Sequence, residues 1–265
     1  SDRKSIFLWK YHAWYNGSFG LQWNESLPWI PAEVYTNSQR FALTVDSVVV
    51  DKVGDVVISA NSRSLSSLEC VLIKYDGSGH RKWDKSFPRE SDRQRCEDLA
   101  TDTNQNIYWL KGEDAEDWQR SLLKLDSSGA IVWSKKPGSN HSISSLAIDA
   151  ENYIYITGAI VYAVIYKESY GYTMGVGSEV MFLQKYDTSG SLQWETLQSC
   201  VGPTDAWVKQ TLWADFITIQ SDSVLIGGFT TCKCGNQTTT IKGHTVIMNY
   251  SSQGSWQGTF EPDLR

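Results

Sequence analysis

The side chains best suited to catalysis are few and lie far apart in the sequence. The four histidines are His12, His80, His141 and His244, and the chain has no H-E-x-x-H, G-x-S-x-G or P-loop motif. Either His141 or His244 could act as a general base beside one acidic cluster, which is Glu113, Asp114, Glu116 and Asp117. The cluster also offers oxygen ligands for calcium, although a solvated charged loop is the simpler interpretation. We predict no catalytic residue, and no cofactor unless the cluster holds calcium.

Aromatic side chains offer a different chemistry, which is binding by stacking. Four tyrosines fall within eleven residues, and they are Tyr162, Tyr166, Tyr170 and Tyr172. Rings that carry hydroxyl groups suit stacking on sugars or gripping a protein surface. Trp118, Trp207 and Trp213 are three further candidates for ligand binding. For each of these residues, a packed loop anchor is the competing interpretation.

The overall composition excludes several classes of protein. The 265 residues include 24 basic and 30 acidic side chains, which gives a formal net charge of −6. This balance lacks the basic footprint that nucleic-acid binding requires. The chain is 41% hydrophobic and 20% charged, unlike a disordered segment, and no apolar run approaches the 18 residues of a membrane span. We therefore expect a folded domain with no nucleic-acid partner and no membrane span.

An internal repeat supplies the elements that must position these residues. The segment Leu72–Trp83 (LIKYDGSGHRKW) recurs at Leu122–Trp133 and at Leu183–Trp194, and degraded copies end at Trp23 and Trp256. The five tryptophans that close the copies lie 60, 50, 61 and 62 residues apart. Each copy reads as a strand, a glycine-bearing turn and a second strand. Another pair of short apolar segments precedes each of the last four copies.

Four short antiparallel strands in each period of 50 to 60 residues predict the blade of a β-propeller. We expect an all-β fold in which residues 1–265 form a single propeller of about five four-stranded blades. The blades are predicted at residues 5–27, 43–88, 97–137, 143–198 and 213–261. We name the strands of a blade A to D in chain order. The D-strand tryptophan and the C-strand tyrosine of each blade then supply apolar area between blades, so we expect the five tryptophans in the core.

The K-Y-D-x-x-G-x-x-x-W signature resembles that of the β-propeller repeat proteins, and more loosely the quinoprotein-like propellers. This resemblance covers nearly the whole chain, and it implies an architecture but no chemistry. Known members of the first group are mostly extracellular or of unassigned function. The cofactor-stacking and metal-ligand residues of the quinoprotein-like enzymes have no counterparts that we can place in this sequence. Five blades of this size also resemble the five-bladed animal lectins, although the lectins' own repeat sequences do not match.

The first blade is incomplete, because the sequence before Trp23 supplies only strands C and D. Three interpretations are open. The blade is a two-stranded remnant, or residues 28–41 supply irregular strands, or a partner chain completes the ring. In the last case the chain would be one piece of a processed polypeptide, and the terminal Arg265 suits cleavage after a basic residue.

The loops between strands B and C are long and unlike one another, in contrast to the tight A–B and C–D turns. They span residues 61–69, 113–120, 160–180 and 231–243, and on a propeller they open on one face. The five cysteines lie on the same face, so we predict one disulfide between Cys70 and Cys96 and a second between Cys200 and either Cys232 or Cys234. Half a zinc site at Cys232–Cys234 is the competing interpretation, but no second ligand pair lies nearby.

Sequence features also favour a secreted protein. Five N-x-[ST] sequons mark candidate glycosylation sites, at Asn16, Asn24, Asn140, Asn236 and Asn249. The leading hypothesis is therefore a secreted, non-catalytic module that binds a glycan or a protein through aromatic loops. One alternative is an enzyme at the mouth of the central channel, where Glu97, His141 and Asp215 would converge. The other alternative is a subunit of a processed or hetero-oligomeric assembly.

Overall fold

Eighteen β-strands and no helix make up the described part of this computed structural model, in agreement with the all-β prediction. The structure describes residues 6–13, 19–27, 42–63, 68–89, 95–112, 120–138, 140–167, 173–198, 212–230 and 244–260. Within these ranges, the strands form four four-stranded antiparallel sheets and one two-stranded sheet. Nothing in the described ranges is a helix long and apolar enough to cross a membrane.

Each sheet is one blade, and its strands follow one another in sequence order. The first blade is a pair of strands, β1 (Ile6–Ala13) and β2 (Phe19–Leu27). We number the blades one to five in chain order. Blade two consists of β3 (Ala42–Val50), β4 (Val56–Arg63), β5 (Leu68–Tyr75) and β6 (Arg81–Pro88), and blade three consists of β7 (Leu99–Thr101), β8 (Ile107–Gly112), β9 (Arg120–Leu125) and β10 (Ile131–Lys135). Blade four consists of β11 (His141–Ile148), β12 (Ile154–Lys167), β13 (Thr173–Tyr186) and β14 (Leu192–Gln198), and blade five consists of β15 (Leu212–Gln220), β16 (Ser223–Thr230), β17 (His244–Ser251) and β18 (Trp256–Phe260).

The A strands form the inner ring of the propeller. β3 contacts β7, β7 contacts β11, and β11 contacts β15, so consecutive blades meet along their first strands. Among the described side chains, apolar clusters fill the spaces between blades two and three, three and four, and four and five. A single blade cannot bury both of its faces, whereas stacked blades bury each face on a neighbour. This packing explains why a chain of short strands forms one large core.

The turn between strands C and D follows the D-x-S-G pattern of the repeat. In blade three, the Oδ1 atom of Asp126 accepts hydrogen bonds from the backbone N–H groups of Ser128 (2.8 Å) and Ala130 (3.0 Å). Gly129 then takes a φ of +81°, which glycine adopts without strain. Asp76 and Asp187 make the same pair of backbone contacts in their own blades. The repeat sequence therefore mainly specifies the turn between strands C and D.

The tryptophan of each D strand packs on the C–D turn of the next blade. The Nε1–H group of Trp83 donates to the carbonyl of Ser127 at 3.0 Å, and Trp133 donates to the carbonyl of Thr188 at 3.2 Å. The ring of Trp194 also lies against Gly254 in the turn of the next blade, but its buried Nε1–H group makes no hydrogen bond there. The prediction of a core position is wrong for Trp256, which is 48% exposed, because it lies on the outermost strand of the last blade. The side chain of Trp23 lies outside the described residues.

Two further predictions about connections can be compared with the structure. The disulfide between Cys70 and Cys96 is confirmed, and it joins the start of β5 to the segment before β7. The predicted loop 160–180 is wrong in large part, because β12 continues to Lys167 and β13 begins at Thr173. Alternating β-branched and aromatic residues extend the hydrogen-bonded ladder there. Residues 28–41, Cys200, Cys232 and Cys234 lie outside the described residues.

Candidate functional site

Three of the inner strands contain a β-bulge at or before the middle of the strand. A β-bulge leaves Asp46 without a pairing partner in β3, Ser144 in β11 and Asp215 in β15. Glu97 occupies the matching place before β7, because it precedes the A–B turn residue Asp102 by five positions, as Asp46 precedes Asp51. The four blades thus present equivalent polar residues at the same end of the inner ring.

These residues line a cavity at the axis of the propeller. Its volume is about 410 Å³, and its lining comes from all four complete blades: Asp46, Arg95, Glu97, Asp98, Ser144, Ser145 and Asp215. Four of these side chains are carboxylates and one is a guanidinium. A concave site lined mainly by one sign of charge focuses the electrostatic field, and it therefore favours ligands of the opposite charge.

Asp98 connects three blades at the floor of this site. It accepts hydrogen bonds from the hydroxyls of Ser47 (3.3 Å) and Ser145 (2.7 Å), which belong to blades two and four. The backbone N–H of Leu146 also donates to it at 3.1 Å. Both oxygens of this carboxylate accept hydrogen bonds, and these bonds hold the inner strands of the three blades together.

Glu97 is also held in place, by Arg120 of β9. The Nη2 group of Arg120 donates to Glu97 at 2.7 Å, and a second contact runs from Nε to the other carboxylate oxygen. Arg120 donates in addition to the hydroxyl of Ser142 (3.1 Å) and to the carbonyl of Ile143. This guanidinium therefore neutralises Glu97 and joins blades three and four.

Asp46 and Asp215 are the two carboxyls with altered acidity. Asp46 is exposed as a whole residue, but its carboxyl lies inside the cavity, and burial raises its pKa to about 6. Arg95 opposes that rise, and the side-chain amide of Asn61 donates to the same carboxyl. Burial also raises the pKa of Asp215. Burial thus raises the pKa of one carboxyl in blade two and of one in blade five, at the two ends of the series of complete blades.

The disulfide supports one wall of the cavity. Cys96 stands directly between Arg95 and Glu97, and both of its neighbours line the site. The hydroxyl of Ser59 in β4 donates to the carbonyl of Cys96, and the Sγ atom of Cys96 lies 2.8 Å from Oδ1 of Asn61. The link to Cys70 in β5 therefore fixes the backbone that carries the cavity residues of blade three.

The residues predicted from sequence are distributed unevenly around this site. Glu97 and Asp215 line the cavity together, but His141 does not, because its Nε2 atom lies 3.1 Å from Glu195 and its ring packs on Phe182. Trp213 is 45% exposed on β15. Tyr162 and Tyr166 are in β12, and their side chains are not described. Trp118, Tyr170, Tyr172 and Trp207 lie outside the described residues, as does the acidic cluster 113–117.

The predicted glycosylation sites fall in different environments. Asn140 lies in an exposed turn before β11, with a φ of +66°. Asn249 lies within β17, where its Oδ1 atom is buried without a hydrogen-bond partner. Asn24 is in β2, and its side chain is not described. Asn16 and Asn236 are outside the described residues.

Sequence reasoning missed Asp46, Arg95, Asp98, Ser144 and Ser145. A signal for three of the four equivalent positions was present, since Asp46, Glu97 and Ser144 each lie five residues before the aspartate of an A–B turn. Within the described ranges, no group of three or more histidines, cysteines and carboxylates is arranged to hold a metal ion. The described site is thus suited to hydrogen bonding and to charge recognition.

Comparison with known proteins agrees with the fold. No protein-family model and no curated protein matches the sequence. Among solved structures, a protein of unknown function from Bacteroides caccae is similar over 94% of this chain and 73% of its own, with 11% identity and a TM-score of 0.50. An ACO/RPE65 chimera (D477G) matches 86% of this chain and 51% of its own, with 10% identity and a TM-score of 0.43. A streptogramin B lyase matches 85% and 88%, with 10% identity and a TM-score of 0.31. At 11% identity, the likeness to the Bacteroides caccae protein concerns the fold alone.

Proposed function

We propose that this protein is a secreted, non-catalytic binding module that holds a glycan or a protein ligand on the face where the inner strands begin. The acidic cavity at the axis is the central contact, and it takes a cationic group of the ligand, such as an ammonium or a guanidinium. The observation that carries the proposal is the convergence of Asp46 of blade two and Asp215 of blade five on one cavity, beside Glu97, whose charge Arg120 neutralises. The extracellular members of the propeller group that the repeat signature resembles are consistent with it.

The same face carries an extended hairpin, which supports this choice of surface. His141, the first residue of β11, pairs with Ile160 of β12, so the part of β12 after Ile160 has no β11 residue beside it. β12 and β13 continue as a paired hairpin to Lys167 and Thr173. This two-stranded extension projects beyond the sheet at the cavity end, and its sequence contains Tyr162 and Tyr166. Tyrosine is enriched in binding interfaces, so these two residues are candidates for ligand contact.

Matched pairs of probes that differ in charge test this proposal. Titration calorimetry would compare a glucosamine tetramer with an N-acetylglucosamine tetramer, and a hexalysine peptide with a hexaserine peptide. We expect the cationic member of at least one pair to bind at least tenfold more tightly, and Asp215→Asn to reduce that preference. Asp84→Asn is the control, because Asp84 is an exposed carboxylate on β6 that pairs with Arg81. Absence of any charge preference, or equal losses in the two variants, would refute the proposal.

An enzyme at the cavity is the second candidate, and one specific observation favours it. A carboxyl with a pKa of about 6, such as Asp46, can donate a proton near neutral pH as a general acid. A panel of p-nitrophenyl glycosides and esters would reveal hydrolytic activity. Turnover that disappears in Asp46→Asn but persists in Asp84→Asn would support this candidate. Absence of turnover across the panel would leave the binding proposal as the better account.

A further inference from the structure

Arg95 supplies a guanidinium to the wall of the axial cavity. Its backbone carbonyl accepts a hydrogen bond from the N–H group of Gly112 at 2.8 Å, and the disulfide-bonded Cys96 follows it directly. Among the described residues, no hydrogen bond or ion pair reaches this guanidinium, and its charge acts on Asp46 only through space. The backbone of Arg95 is thus held in place while its side-chain donors stay available to a ligand.

Asp215 is positioned on the cavity by the β-bulge of β15. It has no pairing partner in β16, since it lies between the paired residues Ala214 and Phe216. Gly228 of β16 lies opposite the bulge, and a Cβ atom there would be 1.8 Å from the backbone oxygen of Trp213. Glycine therefore permits the close approach that forms the bulge, and a bulge redirects the side chain of its extra residue. Burial raises the pKa of Asp215, and no cation of the described residues offsets this rise.

The other carboxylates of the cavity have partners within the protein. Arg120 neutralises Glu97, and hydroxyl and backbone N–H groups donate to Asp98. The side-chain amide of Asn61 donates to Asp46. Within the described part of the chain, the charges that remain open to a ligand are therefore one cation in blade three and one anion in blade five.

A ligand that carries only a cation meets both of these charges. Asp215 attracts it, whereas Arg95 repels it within the same cavity of about 410 Å³. A carboxylate on the same ligand reverses the second effect, because a guanidinium can bind a carboxylate through two parallel hydrogen bonds. Blade four stands between the blades that carry the two residues, since β11 contacts both β7 and β15. The two charges of the ligand must therefore lie apart from each other.

We propose that the cavity recognises a zwitterionic ligand, whose ammonium group binds at Asp215 and whose carboxylate binds at Arg95. This inference rests on the function proposed above, because it specifies the ligand of the same site. The chemical class is an amino acid whose two charged groups are separated by several carbon atoms. In a polypeptide ligand, a carboxy-terminal lysine carries the same pair of groups. Ser144, which lines the cavity from blade four, offers a neutral hydroxyl between the two charged ends.

ε-Aminocaproate and two blocked derivatives test this inference on the whole chain. ε-Aminocaproamide keeps the ammonium group alone, and N-acetyl-ε-aminocaproate keeps the carboxylate alone. Titration calorimetry near neutral pH should show that ε-aminocaproate binds at least tenfold more tightly than either derivative. Free glycine, in which the two charged groups are adjacent, should also bind more weakly than ε-aminocaproate.

Substitutions at the two charged residues separate their contributions. Arg95→Gln should remove the preference for ε-aminocaproate over its amide, and Arg95→Lys should keep part of it, because the charge remains while the paired donors are lost. Asp215→Asn should weaken the binding of both compounds. Arg81→Gln is the control and should change neither affinity, because Arg81 pairs with Asp84 on β6 and does not line the cavity. The three substituted residues are exposed, so the fold should be kept.

Three outcomes would overturn the inference. Equal affinities for ε-aminocaproate and its amide would do so, and the proposed function would stand if binding of the amide still depended on Asp215. A preference that survives Arg95→Gln would mean that the carboxylate binds elsewhere. Absence of binding by every one of these compounds is the third outcome, and the charge-matched probes of the proposed function would then decide that proposal separately.

Discussion

The apolar faces of blade two and blade five that border the first blade differ in how they are covered. On blade two, the residues of β4 and β5 are buried, among them Ile58 and Tyr75, and only the inner strand β3 is open. On blade five, exposure extends from Phe216 on the inner strand to Phe260 on the outermost one. The two faces are built from the same repeat, yet most of the face of blade two is buried and the face of blade five is largely open among the described residues.

The largest difference in the free energy of unfolding should come from truncating one apolar side chain on the covered face and one on the open face. Ile58 is buried, and Ile58→Ala should lower the free energy of unfolding by about 2–5 kcal/mol, because it removes transfer energy and leaves a cavity. Phe229→Ala removes a larger side chain from the open face, and its cost should stay within about 0.5 kcal/mol. Urea denaturation followed by circular dichroism would measure both values.

Comparing Ile58→Ala with Phe229→Ala tests whether the open face of blade five is also open in solution. If Phe229→Ala were as costly as Ile58→Ala, blade five would be covered in solution and the contrast between the two faces would be removed.

A smaller effect is expected from the tryptophans that end blades four and five. Trp194 packs edge-on against Tyr155 at 6.0 Å and lies on Gly254 of the next blade. Trp194→Ala should therefore lower the free energy of unfolding by about 2–3 kcal/mol, below the range for a fully buried tryptophan. Trp256 occupies the same place in its repeat but is open to solvent, so Trp256→Ala should cost less than about 1 kcal/mol. Equal losses of stability would mean that a complete blade packs on blade five.

The repeat made the architecture readable from sequence, because it encodes local structure. The spacing of Asp126, Gly129 and Trp133 specifies a turn and a strand, and three further copies specify the stacking of blades. The pairing of Cys70 with Cys96 was predictable in the same frame, since both residues lie at the loop-rich end of adjacent blades. Patterns with short range and several copies are thus the predictable part of this protein.

The site was predictable only in part, because it depends on contacts between blades. Glu97 and Asp215 were expected at the channel mouth, but no short-range pattern indicates that Asp98 bridges blades two and four or that Arg120 neutralises Glu97. His141 was placed correctly near the start of an inner strand, yet its ring is held by Glu195 and Phe182 away from the cavity. The exposure of Trp256 depends on the neighbour that packs on blade five, and the repeat itself contains no such information.

The smallest effect concerns the two carboxyls at the ends of the series of complete blades. Asp46 has a pKa of about 6 in the folded protein, against an ordinary value of 3.8, because burial disfavours its charged form. The folded state therefore holds this proton more tightly than the unfolded state between about pH 4 and pH 6. The contribution of Asp46 to stability falls as the pH rises through that window. Asp46→Asn should lack this fall and should be more stable than wild type at pH 7, by less than about 1 kcal/mol because solvent screens an exposed residue.

Carbon-13 NMR titration of the carboxyl groups would measure the pKa values of Asp46 and Asp215 directly. Both should lie above the ordinary value of an aspartate, because burial raises each of them. A pKa near 4 for Asp46 would contradict the buried environment of its carboxyl.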